Sequence, residues 1–146
     1  MRATLRSAYA RTGYEAAGIV VRVGKHSAAM DALLRANGVR SAGFVTAWNP
    51  FSRRMPEGWN RRMLARLREA ADGRVIAEGW GRADGWAEQH LLVAGDAAGI
   101  VVLARRFRQN AVVMVAPGRP ARLSAVRIQP RMALDSSNIR FAFSTS

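Results

Sequence analysis

The sequence predicts an α+β fold: a two-layer sandwich in which a mixed sheet of five to six strands carries three helices mainly on one face. Three observations predict it. Short β-branched runs alternate with three amphipathic helical patterns, an Asp-Gly turn joins two alternating runs into a hairpin, and Gly, Asn and Pro punctuate the boundaries. The resulting order is βαβαββαββ, and the hairpin makes the sheet mixed in direction. With 146 residues, 49% hydrophobic and 23% charged, the chain has the length and apolar content of one packed domain. We assign that domain to residues 1–127. Residues 128–146 alternate poorly and end in Ser144, Thr145 and Ser146, and they are expected to form a partly disordered tail.

The first clear element runs from Gly18 to Val23, where Ile19, Val20, Val21 and Val23 make a β-branched run too short for a helix. Ser27 then offers an acceptor to the free amides of a following turn. Met30, Leu33 and Leu34 recur at helical spacing until Asn37 and Gly38 supply a left-handed stop. Gly43 to Trp48 alternates around Phe44, Val45 and Ala47 and closes at Asn49 and Pro50, as a strand running into a turn does.

The polar segment from Phe51 to Gly58 contains Pro56 and reads as a loop. Trp59, Met63, Leu64 and Leu67 define the apolar face of a second helix that ends at Asp72 and Gly73, with Arg61, Arg62, Arg66 and Arg68 on its remaining surface. Arg74 to Trp80 and Trp86 to Val93 form the hairpin around Ala83, Asp84 and Gly85. In its second strand Trp86, Glu88, His90 and Leu92 share one face, because side chains alternate along a strand.

Asp96 caps a third helix carrying Ile100, Leu103, Ala104 and Phe107. Arg105, Arg106 and Arg108 fall at its end, where cations suit the negative pole of the helix. Ala111 to Ala116 is a buried-type strand, and Pro117 to Pro120 turns the chain into a weaker strand around Leu123 to Val126.

Composition narrows the function classes. No window reaches the roughly 18 apolar residues needed to cross a bilayer, and residues 1–14 lack the apolar segment of a secretory signal; the expected location is the cytoplasm. The chain has no cysteine and two isolated histidines, His26 and His90, which gives a metal little to bind and implies no cofactor. Twenty-two arginines and one lysine against ten acidic residues set a net charge of +13. That charge attracts phosphate backbones or an acidic protein whatever the fold.

Polar residues gather at strand ends and the loops after them, where α/β proteins commonly build pockets. Thr46 and Asn49 close one strand, Asn60 begins a helix, and Glu88 sits within a strand beside Trp86. Gln109 and Asn110 precede another strand. Together they suit a small polar ligand or a catalytic pocket, with Glu88 as the catalytic candidate and Trp86 as an apolar wall. Each also has a plain structural role: Asn49 before Pro50 forms side-chain turns, Asn60 caps, Asn110 stops a helix, and a buried Glu88 most often pairs with an arginine. His90, two residues beyond Glu88 on the same face, is an acid/base neighbour or a hydrogen-bonded core histidine. The alternative function is RNA or DNA binding through Arg61, Arg62, Arg66, Arg68, Arg105, Arg106 and Arg108.

The run Phe44, Val45, Thr46, Ala47, Trp48, Asn49 and Pro50, followed by Ser52, Asn60, the Trp86 and Glu88 pair, and then Phe107, Gln109, Asn110 and Ala111, resembles a bacterial family, domain of unknown function 3293. The resemblance extends from about Tyr9 to Val115 and implies a compact bacterial cytoplasmic domain without specifying a reaction. The family pattern has Ser where His90 stands and Gly where Arg108 stands, so the resemblance gives neither a site role. Thr46, Asn49, Asn60, Trp86, Glu88, Gln109 and Asn110 match it.

Overall fold

The computed structural model describes residues 1–126, and the predicted tail lies outside the described residues. The chain forms α1 (Ala3–Arg11), β1 (Gly13–Ala16), β2 (Ile19–Val21), α2 (Ala28–Ala36), β3 (Ala42–Val45) and a 3₁₀ turn (Pro50–Ser52). Then follow α3 (Glu57–Ala70), β4 (Val75–Ala83), β5 (Trp86–Ala94), α4 (Ala97–Arg106), β6 (Ala111–Val115) and β7 (Arg122–Ala125). The fold is α+β, as predicted. Among the described residues, however, there are seven strands rather than five or six, and four α-helices rather than three.

All strands belong to one sheet in the order β2-β1-β4-β5-β3-β6-β7. Every neighbouring pair is antiparallel, so the predicted mixed sheet is corrected. Hydrophobic alternation reports which face a residue occupies and carries no information on the direction of its neighbour. The two extra elements lie before the first predicted strand. Ala17 and Gly18 both take positive φ, 52° and 78°, the geometry of a two-residue hairpin turn, and this turn pairs β1 with β2.

The sheet curls until its ends touch. Val23, just past β2, bridges Ala121, just before β7; the Gly24 amide donates to the Ala121 carbonyl at 2.8 Å and the Ala121 amide to the Lys25 carbonyl at 2.9 Å. Curling shields strand edges that would otherwise present unpaired amides and carbonyls.

Two cores result, one on each face. The outer core joins Val45, Leu91, Val93, Val112 and Met114 of the sheet to Leu64 and Leu67 of α3 and to Ile100, Leu103 and Ala104 of α4. The inner core joins Tyr14, Phe44, Leu92 and Val113 to Met30 and Leu34 of α2, with Tyr9 of α1 at its margin. Helices therefore cover both faces, correcting the predicted arrangement with helices mainly on one. The predicted caps are in place at α2 and α4: Ser27 Oγ accepts from the Met30 amide at 3.1 Å, and Asp96 Oδ1 accepts from the Gly99 amide at 2.8 Å.

Glycines in β4 decide how closely the strands approach on the inner face. A methyl group on Gly79 would stand 1.7 Å from the carbonyl oxygen of Glu15 in β1, whereas one on Gly81 would meet Thr12, His90 and Tyr14 side-chain atoms at 3.5–3.6 Å. The first is a collision with backbone and the second an ordinary contact. Gly79→Ala should therefore cost about 3 kcal/mol or more, and Gly81→Ala should stay within about 1 kcal/mol of the parent. Urea unfolding midpoints of the two variants check the contrast; equal midpoints would contradict the close approach.

Candidate functional site

Glu88 projects from β5 onto the inner face, because Leu92, four residues on, belongs to the inner core. Across the sheet, Gly81 of β4 stands opposite Glu88, and Tyr14 of β1 stands opposite Gly81. The middle residue of this row has no side chain, and Thr12, His90 and Tyr14 side-chain atoms close in around its position.

The chain after β3 is shaped to meet that carboxyl. Asn49 (φ 46°), Phe51 (φ 52°) and Ser52 (φ 64°) all lie in the left-handed region. Asn tolerates it, while the other two cost on the order of 1–3 kcal/mol each. Hydrogen bonds hold the turn: the Phe51 amide to the Arg108 carbonyl at 2.7 Å, the Ser52 amide to the Asn49 carbonyl at 2.9 Å, and Asn110 Nδ2 to Ser52 Oγ at 2.9 Å.

Asn49 and Asn60 bind each other reciprocally. The Asn49 amide donates to Asn60 Oδ1 at 2.9 Å, and Asn60 Nδ2 donates to Asn49 Oδ1 at 3.0 Å. Asn49 Oδ1 also accepts from the Met55 amide at 2.9 Å. Its oxygen is thus filled, which turns its amide nitrogen toward Glu88, where Nδ2 donates to Oε2 at 3.2 Å. Asn60 is not the first residue of its helix: α3 starts at Glu57, so Asn60 is a buried residue of the first turn that orients Asn49.

Next to this carboxyl is a cavity of about 180 Å³. Leu5, Ala8, Tyr9, Arg11 and Thr12 of the α1 region form one wall; Asn49, Trp86, Glu88 and Gln109 lie on others, with Ser52 and Asp84 at the rim. Four of the predicted residues therefore share this cavity. Thr46 does not line it. Its hydroxyl donates to the Gln89 carbonyl at 2.6 Å and accepts from the Trp48 amide at 3.1 Å, tying β3 to β5. Asn60 stands behind Asn49, and Asn110 lines a neighbouring open cleft with Met1, Arg2 and Phe51. Gln109, although at the wall, uses Nε2 on the carbonyls of Trp48 at 3.0 Å and Phe107 at 3.1 Å.

The α1 wall was missed from sequence. Leu5, Ala8, Tyr9 and Thr12 follow helical spacing, but α1 has no fully buried residue and an uneven apolar face, so the periodic signal is weak.

Burial sets the protonation states here. It pushes the Glu88 carboxyl up from 4.5 to about 7, against the lowering effect of the Asn49 hydrogen bond. Burial first, and the Glu88 charge second, hold the Tyr9 phenol in its protonated form far above neutral pH. His90 is pushed down to about 4, mainly by burial. Its Nε2 lies 2.8 Å from the Glu15 carbonyl oxygen, which makes Nε2 the protonated, donating nitrogen of a neutral ring. The ring packs edge-on against Phe44, centroids 4.8 Å apart. His90 is thus a strand tether and lies outside the cavity wall.

The arginine partner expected for Glu88 is not what the structure holds. Among the described residues the ion pairs are His26–Asp31, Arg61–Glu57 and Arg68–Glu78. Among the same residues no cluster of three His, Asp or Glu side chains is placed to hold a metal ion, and no helix is long and apolar enough to cross a membrane. The seven arginines of the alternative reading, on α3, on α4 and just past the end of α4, are all exposed.

Residues 45–112 match the family described as Protein of unknown function (DUF3293). The matching family is the one that the sequence resembles. No curated protein and no solved structure matches the chain. The DUF3293 stretch spans β3 to β6 and contains every predicted ligand-binding residue together with Glu88, while the α1 wall precedes it.

The two buried titrating groups drive stability in opposite directions with pH. The Glu88 pKa is raised on folding, so its favourable contribution is complete below about pH 4.5 and lost as pH rises through about 7. The His90 pKa is depressed, so its contribution is complete above about 6.5 and lost as pH falls through about 4. Glu88→Gln should stabilise the fold by about 3 kcal/mol at pH 8 and by almost nothing at pH 4.5. His90→Gln should flatten the acid limb between about pH 6.5 and 4. Urea unfolding at several pH values measures both, and a pH-independent difference for Glu88→Gln would refute the assigned burial.

Proposed function

We propose that the chain is a small-ligand-binding domain whose site is the cavity beside Glu88, with Glu88 as the group that binds or exchanges a proton with the occupant. The observation that carries this reading is a carboxyl group 8% exposed, held by an amide rather than an arginine, on the wall of a cavity of about 180 Å³. A buried ionisable group in a concave site, with a pKa near neutrality, is suited to ligand chemistry. The volume accommodates roughly the size of a benzene ring with a few added atoms. Leu5, Ala8, Tyr9 and Trp86 supply the apolar surface, and Asn49 fixes the carboxyl.

Thr46, Asn60 and Asn110 enter this reading as supports rather than contacts. Thr46 fixes the strand end, Asn60 orients Asn49, and Asn110 holds the left-handed turn through Ser52.

Ligand-observed NMR of a fragment collection of up to about ten heavy atoms tests the reading. Hits should compete with one another for one site and vanish in Ala8→Phe, which fills the cavity from the α1 side and should leave stability within about 1 kcal/mol. Binding that survives Ala8→Phe unchanged would place the ligands elsewhere and remove the proposal.

A second reading is favoured by one observation: the exposed arginines Arg61, Arg62, Arg66, Arg68, Arg105, Arg106 and Arg108 belong to the two helices that cover the same outer face, or to the end of the second. Arg61 and Arg68 meet Glu57 and Glu78, which leaves five without an acidic partner among the described residues. Such a surface would bind RNA or DNA with steep salt dependence. Affinity for a 20-nucleotide RNA should fall at least about tenfold between 50 and 200 mM salt and should be unaffected by Ala8→Phe; absence of binding at 50 mM discards this reading.

A further inference from the structure

Resting on the cavity reading, we infer that the occupant is a small organic cation, an amine, amidine or guanidine on a compact apolar body, whose N–H groups are accepted by Oε1 of Glu88 between Tyr9 and Trp86. The two oxygens of Glu88 differ in their surroundings. Oε2 accepts from Asn49 at 3.2 Å, and Oε1 has no hydrogen-bond partner among the described residues. Of the donors on the wall, Asn49 Nδ2 is engaged on Glu88 and Gln109 Nε2 on the Trp48 and Phe107 carbonyls, while the Tyr9 hydroxyl and the Trp86 indole N–H have no partner among the described residues. Ionised Glu88 would also repel an anion across a short, poorly screened distance.

A neutral ligand would occupy the space but leave the carboxylate charge buried without compensation, the costly arrangement for an ion. A cation supplies both the missing donor and the missing charge. The remaining charged groups lining the cavity are Arg11 of α1 and Asp84 of the β4–β5 turn, both exposed and one of each sign, so the buried charge of Glu88 decides the preference. Arg11 Nη1 donates to Ser7 Oγ at 2.7 Å. Tyr9 and Trp86 offer aromatic surface, which attracts cations further.

Benzamidine, benzamide and benzoate are near-isosteric probes of the three charge states. Each is titrated at pH 8 by ligand-observed NMR into the parent protein, Glu88→Gln and Ala8→Phe. Benzamidine should bind the parent about tenfold or more tightly than benzamide, with benzoate weakest, since charge-assisted hydrogen bonds are about twice as strong as neutral ones. Glu88→Gln should bind benzamidine and benzamide alike. Equal binding of the two by the parent, preference for benzoate, or a cation preference that persists in Glu88→Gln would overturn the charge assignment. If benzamide binding is abolished by Ala8→Phe in any of those cases, the cavity still binds ligands. If none of the three probes binds the parent, the cavity reading and the charge assignment fall together.

Discussion

The close contact between β1 and β4 at Gly79 is the constraint on which the remaining geometry depends. A side chain at that position would strike the Glu15 carbonyl, and with none present the carbonyl sits where His90 reaches it at 2.8 Å. That bond ties β1 across β4 to β5, and β2, at the edge beyond β1, leads to Val23, which bridges Ala121. It also sets the position of α1, because Thr12, at 1% exposure, links the two elements and bonds back to the Ala8 carbonyl at 2.7 Å. The wall over Glu88 is thus placed by a glycine in the neighbouring strand. A neutral histidine performs the tethering well, since a buried imidazole can donate one hydrogen bond without carrying a charge.

The polar groups around Glu88 act as a chain of constraints with one end left open. Asn60 fills the oxygen of Asn49, which leaves the Asn49 nitrogen to face the carboxyl; Asn110 holds Ser52, whose backbone keeps the left-handed turn closed on Asn49. Such networks are worth building only if every member is satisfied, because an unpaired buried polar atom costs about 1–3 kcal/mol. Tyr14 Oη and Trp48 Nε1 are the fully buried atoms without a partner among the described residues, and the member of this network left open is the Glu88 carboxyl, whose Oε1 also lacks a partner among those residues. Its ionisation works against folding as pH rises through about 7.

Much of the fold was legible because its signals are local. Ser27 and Asp96 are helix caps by residue type and placement, Asp84-Gly85 is a hairpin turn by composition, and the parity of Trp86, Glu88, His90 and Leu92 follows from alternation. What escaped has a physical reason in each case. α1 rests on the protein through one uneven stripe, so its apolar period is faint. β1 is four residues long and is cut from β2 by Ala17-Gly18, which reads as a strand start when only the β-branched run is followed. The antiparallel order and the curl depend on contacts between residues up to a hundred positions apart, such as Val23 with Ala121. At the site, residue types pointed to Asn49, Glu88, Trp86 and Gln109, but the division between wall and support could not be read. Thr46 and Asn60 have the same chemistry as wall residues and differ only in which backbone groups lie within reach.

With Arg11 on the same cavity wall, the lack of an arginine ion pair at Glu88 is the least expected feature, and topology accounts for the arginines of α3 and α4. Arg61, Arg62, Arg66, Arg68, Arg105 and Arg106 lie on helices packed against the outer face, whereas Glu88 points from β5 to the inner face. A sheet with packed side chains separates layers by about 10 Å on each side, which exceeds the reach of a guanidinium tied to its own helix. The arginines of α3 and α4 and the buried carboxyl therefore occupy opposite sides of one sheet. The phosphate-attracting surface does not demand the cavity, and the cavity does not demand the surface. A charge of +13 spread over the exterior is screened within roughly 8–10 Å at ordinary salt, while the carboxyl inside is screened far less. The local sign at the carboxyl can therefore oppose the global sign of the protein.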